Sequence, residues 1–362
     1  MTRSDLAQLR LLHQHITRPA SGTPATVVSR LGAVQAQDFT GAKWALGLRL
    51  KGATEAGIER AFNAGSILRT HLLRPTWHFV TPADIRWLLT LTAPRVNAAN
   101  APGYRRLGLD DHVFRRSNGA LEKALGGGTQ LTRDELRGVL RRAGVVTAGE
   151  SRMGHLLMRA ELEGLICSGP RKGRQFTYAL LDARVPPTRP VSREEALAEL
   201  AGRYFTSRGP ATVQDLAKWS GLTVADAKVG LEAAKSRLRR EVVDGEDVWM
   251  PATGPGAGAA SATTHLLSVY DEYFSGYKDR MAMAGPTHAR TLNAMGAALG
   301  YLIVVDGRIV GTWRRAIRKD VVVIETRPFG PMTRSGTRDV AAAARRYGAF
   351  LGLRVELVKG KS

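Results

Sequence analysis

Apolar and polar positions repeat three times along the chain in the order expected of three helices followed by two short strands. Apolar residues at helical spacing indicate the helices, and short runs rich in β-branched and aromatic residues indicate the strands. The first copy is predicted as helices that begin at Leu6 and span 24–34 and 54–64, with strands at 67–70 and 76–80. Helix-turn-helix followed by a hairpin is typical of the winged-helix fold.

The second and third copies carry stronger local signals. Thr132 and Glu135 form a capping-box pattern at a helix start, and Asp244-Gly245 between apolar runs predicts a hairpin. The second copy is predicted as helices at 110–125, from 132 and at 151–165, with strands at 165–168 and 175–180. The third is predicted as helices at 192–207, 212–220 and 223–234, with strands at 238–243 and 248–250. The remaining residues predict strands at 301–305, 308–314, 321–326 and 354–358 and a helix at 337–350.

These patterns predict a mainly α fold with β wings, made of three tandem winged-helix domains and a C-terminal α+β portion. The predicted domains are residues 1–109, 110–189, 190–253 and 263–362. A proline-rich stretch at 186–190 and a glycine-rich stretch at 254–262 are the predicted linkers.

Composition narrows the classes of protein. A chain of 362 residues exceeds one typical hydrophobic core, and 44% apolar with 23% charged residues is ordinary for a globular protein. No run approaches the roughly 18 apolar residues of a membrane span, and the first residues lack a signal core, so we expect a cytoplasmic protein. The single cysteine, Cys167, excludes an internal disulfide, a cysteine zinc site and an iron–sulfur cluster.

The charge indicates a polyanionic partner. The 53 Lys and Arg exceed the 32 Asp and Glu, for a net charge of +21. The excess is +9 in residues 1–109 and +8 in residues 301–362, whereas residues 190–300 carry −1. Phosphate contact and the codon bias of a GC-rich genome both fit the abundance of Arg, but codon bias does not readily explain the excess of basic over acidic residues. We therefore expect nucleic acid as the partner; a membrane surface is the lesser alternative, since no basic helix with an exposed apolar face stands out.

Few residues carry recognisable chemistry. The histidine spacings do not match a metal site, and neither a phosphate-binding glycine loop nor a serine nucleophile elbow is present. The distinctive segment is Gln35-Ala36-Gln37, at the end of the second predicted helix. If the chain is extended there, Gln35 and Gln37 project to the same side. From the spacing alone, the simpler interpretation is that two glutamines lie at a helix end and that Asp38 accepts backbone hydrogen bonds.

Three segments together resemble a known family: Gln35-Ala36-Gln37, residues 69–78 and residues 271–280. The chain resembles the AlkZ-like family of winged-helix DNA glycosylases along its whole length. A sister branch of the family has Asp in place of the second glutamine. Gln37 therefore favours the AlkZ-like branch, and Asp38 comes one residue too late to replace that aspartate.

The resemblance implies three winged-helix units around a DNA channel and a monofunctional DNA N-glycosylase. The expected reaction is hydrolysis of the N-glycosidic bond of cationic N-alkylated purines, including bulky adducts or interstrand crosslinks, which leaves an abasic site. Gln35 and Gln37 are expected to hold the attacking water, without a metal or cofactor. The implied protein is a monomer that acts on double-stranded chromosomal DNA in repair or in self-resistance to an alkylating antibiotic.

Further candidates for the lesion pocket or for DNA contacts are Arg69, His71, Arg74, Thr76, His78 and Lys43. A structural role is an open alternative for both histidines, and Trp77 is expected in the core. Lys43 also leaves open a Schiff-base mechanism. The segment from Asp271 to Arg280 has two open interpretations, a structural ion-pair cluster or a part in catalysis.

Two other functions compete with the glycosylase. A non-enzymatic winged-helix transcription regulator would bind a specific sequence, usually as a two-fold dimer. A protein–protein scaffold would not explain the positive charge of residues 1–109 and 301–362. Binding that ignores sequence but weakens steeply with salt would contradict the regulator.

Overall fold

The protein is mainly helical with four small sheets in the part of the chain described by a computed structural model, residues 1–254, 263–280, 282–284, 288, 292 and 300–360. In these residues the α-helices are α1 (Arg3–His13), α2 (Pro24–Leu31), α3 (Phe39–Arg49), α4 (Glu55–Asn63), α5 (Pro82–Arg106), α6 (Asp111–Leu125), α7 (Arg133–Arg142), α8 (Glu150–Leu162), α9 (Leu181–Arg184), α10 (Arg193–Arg208), α11 (Val213–Ser220), α12 (Val224–Ala234), α13 (Glu272–Ser275) and α14 (Arg334–Leu351). No described helix is long and apolar enough to cross a bilayer.

The strands form four separate sheets. They are β1 (Val34–Gln35), β2 (Leu68–Leu72), β3 (Arg74–Val80), β4 (Leu131–Thr132), β5 (Ile166–Ser168), β6 (Thr177–Leu180), β7 (Leu238–Val243), β8 (Glu246–Pro251), β9 (Thr264–Leu267), β10 (Tyr301–Val305), β11 (Arg308–Arg318), β12 (Val321–Pro328) and β13 (Arg354–Lys359). The strand orders are β1-β3-β2, β4-β6-β5, β7-β8 and β13-β12-β11-β10-β9. Among the pairs formed by these described strands, only β12–β13 is parallel.

Side-chain caps explain why the helices of the third copy begin where the sequence predicts. Ser192, Thr212 and Thr223 each accept a hydrogen bond from a backbone N–H in the first turn of α10, α11 and α12. Such caps satisfy N–H groups that have no partner inside the helix. The hairpin around Asp244-Gly245 is also confirmed, with β7 and β8 in register from Leu238–Pro251 to Val243–Glu246.

The first copy differs from its prediction around the glutamine motif. Helix α2 ends at Leu31 rather than at residue 34, and Val34 and Gln35 form the short strand β1. A helix absent from the prediction, α3, begins directly after the motif, with Asp38 as its N-cap. The motif therefore occupies an extended segment between two helices.

The tail packs into the same core as the first copy. A large cluster of buried apolar residues extends from Leu11 to Phe350, whereas most buried apolar residues between Tyr104 and Tyr178 form a second cluster. Helix α14 lies so close to α3 that a Cβ on Gly47 would be 2.4 Å from the Phe350 ring. Strand β9 is joined to α3 by the Trp44 indole N–H, which donates to the carbonyl of Leu266 over 2.7 Å. The four-domain division and the winged-helix assignment stay predictions.

Candidate active site

The glutamine motif is held extended by the neighbouring strand. Gln35 lies opposite His78 in the β1–β3 pair, and the Ala36 N–H donates to the Trp77 carbonyl over 2.7 Å. Gln35 is 8% exposed, whereas Gln37 is exposed. The motif therefore runs from the interior to the surface over three residues.

Both carboxamides keep hydrogen-bonding capacity. The Gln35 Oε1 accepts from the Gln37 N–H at 3.3 Å, and the Gln37 Oε1 accepts from the Trp77 N–H at 3.4 Å. These contacts are long, and a carboxamide oxygen has a second lone pair. Neither Nε2 group donates a hydrogen bond to another described residue. Two amides able both to donate and to accept are therefore available beside each other.

A buried carboxylate holds the motif from the other side. The Glu272 Oε1 accepts from the Gln35 N–H at 2.8 Å. Its Oε2 accepts from Arg208 Nη2 at 2.8 Å, from Arg208 Nε at 3.2 Å and from Trp219 Nε1 at 2.9 Å. Burial alone would raise the pKa of Glu272, but the Arg208 charge and the Gln35 N–H hold it below its usual range. Glu272 is therefore a charged, fully bonded support for β1.

Arg208 extends this support to both ends of the turn before β1. Its guanidinium donates to the carbonyls of Leu31 and Ala33, over 2.7 and 3.0 Å. The side chain is wholly buried among Tyr204, Trp219 and the Glu272 carboxylate. Sequence reasoning missed Arg208, because an arginine at a helix end resembles a surface charge.

The first residues of the segment from Asp271 to Arg280 form buried ion pairs and hydrogen bonds that hold the fold together. The Asp271 carboxylate accepts from Arg49 Nη1 and Nη2 at 2.9 and 2.7 Å, with both side chains buried. The Tyr273 hydroxyl donates to the Gly307 carbonyl at 2.6 Å, and the Tyr277 hydroxyl donates to the Arg208 carbonyl at 2.7 Å. Through Glu272, the cluster also touches the motif.

The two predicted histidines have different surroundings. His78 is fully buried; its Nδ1 bonds the Thr76 carbonyl at 2.9 Å, and its Nε2 has no partner among the described residues. Burial lowers the pKa of His78 well below its usual value, so the ring is neutral. His71 instead bonds Glu161 of α8 and lies 4.3 Å from the Trp77 ring. Only His78 is placed directly beside Gln35.

Arg69 supports the motif rather than extending to the surface. Its Nε donates to the Ala36 carbonyl at 3.0 Å, and its guanidinium lies over the rings of Trp77 and Phe176 at 4.2 and 4.6 Å. Burial lowers the pKa of Arg69 to about 10. Thr76 is half-buried, and its hydroxyl has no partner among the described residues.

The surroundings of Lys43 do not match the predicted DNA contact. Its Nζ bonds Glu59 at 2.6 Å and Glu55 at 2.8 Å, and its side chain is 6% exposed. Because its Nζ is held by two carboxylates and its side chain is buried, Lys43 is not free to contact a DNA phosphate. Asp38 accepts from the Thr40 N–H at 3.1 Å and from the Tyr301 hydroxyl at 3.0 Å, which gives it a structural role.

A comparison with known protein families identifies the family of this chain. The model of the family described as "DNA glycosylase AlkZ-like" matches residues 28–350, most of the chain. The chain belongs to the AlkZ-like DNA glycosylase family. Its enzyme class is accordingly that of a DNA N-glycosylase, which confirms the resemblance found in the sequence.

Relatives of this AlkZ-like chain agree in length and fold. It is 25% identical over 330 residues to the "Interstrand DNA cross-link repair glycosylase" of Streptomyces sahachiroi, covering 84% of this chain and 85% of that protein. The solved structure of Streptomyces sahachiroi DNA glycosylase AlkZ is similar with a TM-score of 0.79 and 23% identity, covering 99% of this chain and 100% of the other. The two chains therefore share their fold.

Proposed function

We propose that this AlkZ-like chain is a monofunctional glycosylase that hydrolyses the N-glycosidic bond of cationic N-alkylated purines in double-stranded DNA. The observation that carries the proposal is the pairing of Gln35 and Gln37 on one supported, extended segment with free amide groups. Bulky adducts and interstrand crosslinks belong to the same substrate class, since they also yield cationic purines. The protein would act as a monomer on chromosomal DNA.

The chemistry matches what a carboxamide can do. Alkylation at N7 or N3 makes the purine cationic, so the C1′–N bond breaks with little acid assistance and the base leaves neutral. Water then adds to the oxocarbenium-like sugar and releases a proton. A glutamine holds that water by accepting from it and by donating to its neighbour, but it is too weak a base to ionise it. The site should therefore be nearly inactive on neutral bases.

The surroundings of the motif support hydrolysis rather than lyase chemistry. Lys43, the lysine near the motif in the sequence, is bound by Glu55 and Glu59. His78 lies opposite Gln35 in the β1–β3 pair, and its buried Nε2 carries the lone pair of the neutral ring because its Nδ1 donates to a carbonyl. We assign His78 to the lesion pocket, His71 and Arg69 to support of the motif, and Arg74 and Thr76 to the DNA-facing side.

The decisive experiment measures release of 7-methylguanine from methylated duplex DNA by the wild type, Gln35→Ala and Gln37→Ala. We expect both variants to lose most activity while they keep DNA binding, and EDTA to have no effect. Gln130→Ala is the matched control, because Gln130 is exposed and outside the site.

The outcomes separate the alternatives. Release by both glutamine variants at the wild-type rate would contradict the site. A covalent protein–DNA complex after borohydride reduction would contradict monofunctional hydrolysis. Absence of release by the wild type, from both methylated and crosslinked DNA, with sequence-specific binding would favour the transcription regulator.

A further inference from the structure

Three cations gather where α11 meets the bend between β2 and β3. Arg74 begins β3, Lys218 lies in the last turn of α11, and Arg280 ends the segment from 271 to 280. At Gly221, directly after α11, a Cβ would lie 2.3 Å from the Leu73 carbonyl and 3.5 Å from the Arg74 side chain. This close approach is possible only for glycine, and it brings α11 against the start of β3.

The three cations have spare donors. No hydrogen bond joins Arg74 or Arg280 to a described residue, and the Nε of each is buried without a partner. Arg280 only stacks on the Phe274 ring at 4.1 Å. Lys218 donates once, to the Tyr277 carbonyl at 2.7 Å, which leaves two N–H groups. All three side chains are half-buried.

The charges act on one another. The pKa of Lys218 is lowered to about 8, mainly by burial and further by the charges of Arg280 and Arg74. Burial and the charge of Arg74 also lower the pKa of Arg280. Like charges packed together without an anion are unfavourable, and a bound anion would relieve that repulsion.

The nearby carboxylates are already engaged. Asp215 accepts from the backbone N–H groups of Thr212 and Lys278 at 3.0 and 2.7 Å and lies 3.7 Å from Arg10. Glu272 is bound by Arg208, Trp219 and Gln35. The cluster thus keeps its positive charge for an external anion.

We propose that Arg74, Lys218 and Arg280 form a binding site for one backbone phosphate of the DNA strand whose damaged base lies at Gln35 and Gln37. The proposal rests on the function proposed above. Arg74 opens the strand whose His78 lies opposite Gln35, so the cluster adjoins the motif. A phosphodiester held there would fix the register of the strand at the motif.

The test measures DNA affinity as a function of salt. The probe is a duplex with a tetrahydrofuran abasic-site analogue, which cannot be hydrolysed by a glycosylase, and the variants are Lys218→Gln and Arg280→Gln. We expect each to weaken binding about tenfold and to reduce the salt slope by about 0.9. Lys123→Gln is the matched control, since Lys123 is exposed on α6. Circular dichroism verifies that each variant is folded.

A second arm locates the phosphate. Neutral methylphosphonate linkages are placed singly on either side of the abasic analogue. When the neutral linkage replaces the phosphate that Lys218 binds, the wild type and Lys218→Gln should bind the DNA with equal affinity. The lysine then has no phosphate charge to interact with in either protein. The proposal would be overturned if no linkage position had this effect. It would also be overturned if Lys218→Gln and Arg280→Gln had the same salt slope as Lys123→Gln.

A third arm excludes a free anion as the ligand. If inorganic phosphate raises the melting temperature of the wild type but the variants keep wild-type DNA affinity and salt slope, the site serves free phosphate and the proposal is wrong. Because binding is measured on an abasic analogue, the two proposals can fail separately. If the wild type releases no base from methylated or crosslinked DNA but the variants show the expected salt effect, the proposed substrate class is wrong and the phosphate site is retained.

Discussion

Replacing Glu272 by Gln tests whether the glutamine motif depends on a buried charge. The carboxylate accepts four hydrogen bonds, from Gln35, Trp219 and twice from Arg208. An amide of the same shape offers one oxygen and one donor group. Whichever way the amide is turned, its NH₂ faces an N–H donor.

The expected cost follows from burial. Arg208 and Glu272 are both 0% exposed, so the substitution leaves Arg208 as a buried charge without its counter-ion. Loss of one partner of such a pair costs about 3–5 kcal/mol of the free energy of unfolding. The Gln35 N–H is disturbed as well, so 7-methylguanine release should fall even at temperatures where the variant is folded.

Urea unfolding followed by tryptophan fluorescence measures the effect, since Trp219 contacts Glu272. Glu246→Gln is the matched control: Glu246 is exposed, and its replacement should change the free energy of unfolding by less than about 0.5 kcal/mol. Destabilisation by Glu272→Gln of under about 1 kcal/mol, together with unchanged base release, would refute the supporting role.

Three further predictions concern the pH dependence of stability, the packing at two glycines and the pH dependence of DNA affinity. Burial lowers the pKa of His265 to about 3, so between about pH 6.5 and 3 the unfolded chain binds a proton that the fold does not. Stability should fall as the pH drops through that window, and His265→Phe should flatten the urea-unfolding trend by about 1.4 kcal/mol per pH unit. Gly47→Ala should cost about 1–3 kcal/mol in urea unfolding because its Cβ meets Phe350, whereas Gly119→Ala, open on α6, should stabilise by about 0.5–1 kcal/mol. With a pKa of about 8, Lys218 should make DNA affinity decrease above pH 8 in titrations at constant salt, and Lys218→Gln should abolish that decrease.

Local rules account for the elements that the sequence predicted well. Helices α10, α11 and α12 begin after Ser192, Thr212 and Thr223, because a cap needs only a residue type and its immediate neighbours. The Asp244-Gly245 hairpin needs only two residues that accept positive φ, and both have it.

Elements set by distant contacts were missed or misplaced. The strand β1 is two residues long and exists because β3 and Glu272 bind it, so nothing in residues 34–35 announces a strand. Helix α5 continues through Pro94 and Pro102, which local rules treat as helix breakers.

The sequence by itself determined which side chains are candidates for the chemistry and the net positive charge, because residue type sets both. It also determined the capped helices and tight hairpins, which depend on short-range geometry. The tertiary structure alone decided that Arg208 and Glu272 are buried beside the motif and that Lys43 is bound by two carboxylates. Charged side chains look alike in a sequence wherever they lie. Only the fold, which brings together residues 237 positions apart such as Gln35 and Glu272, determines whether a charge meets a carboxylate or remains available to DNA.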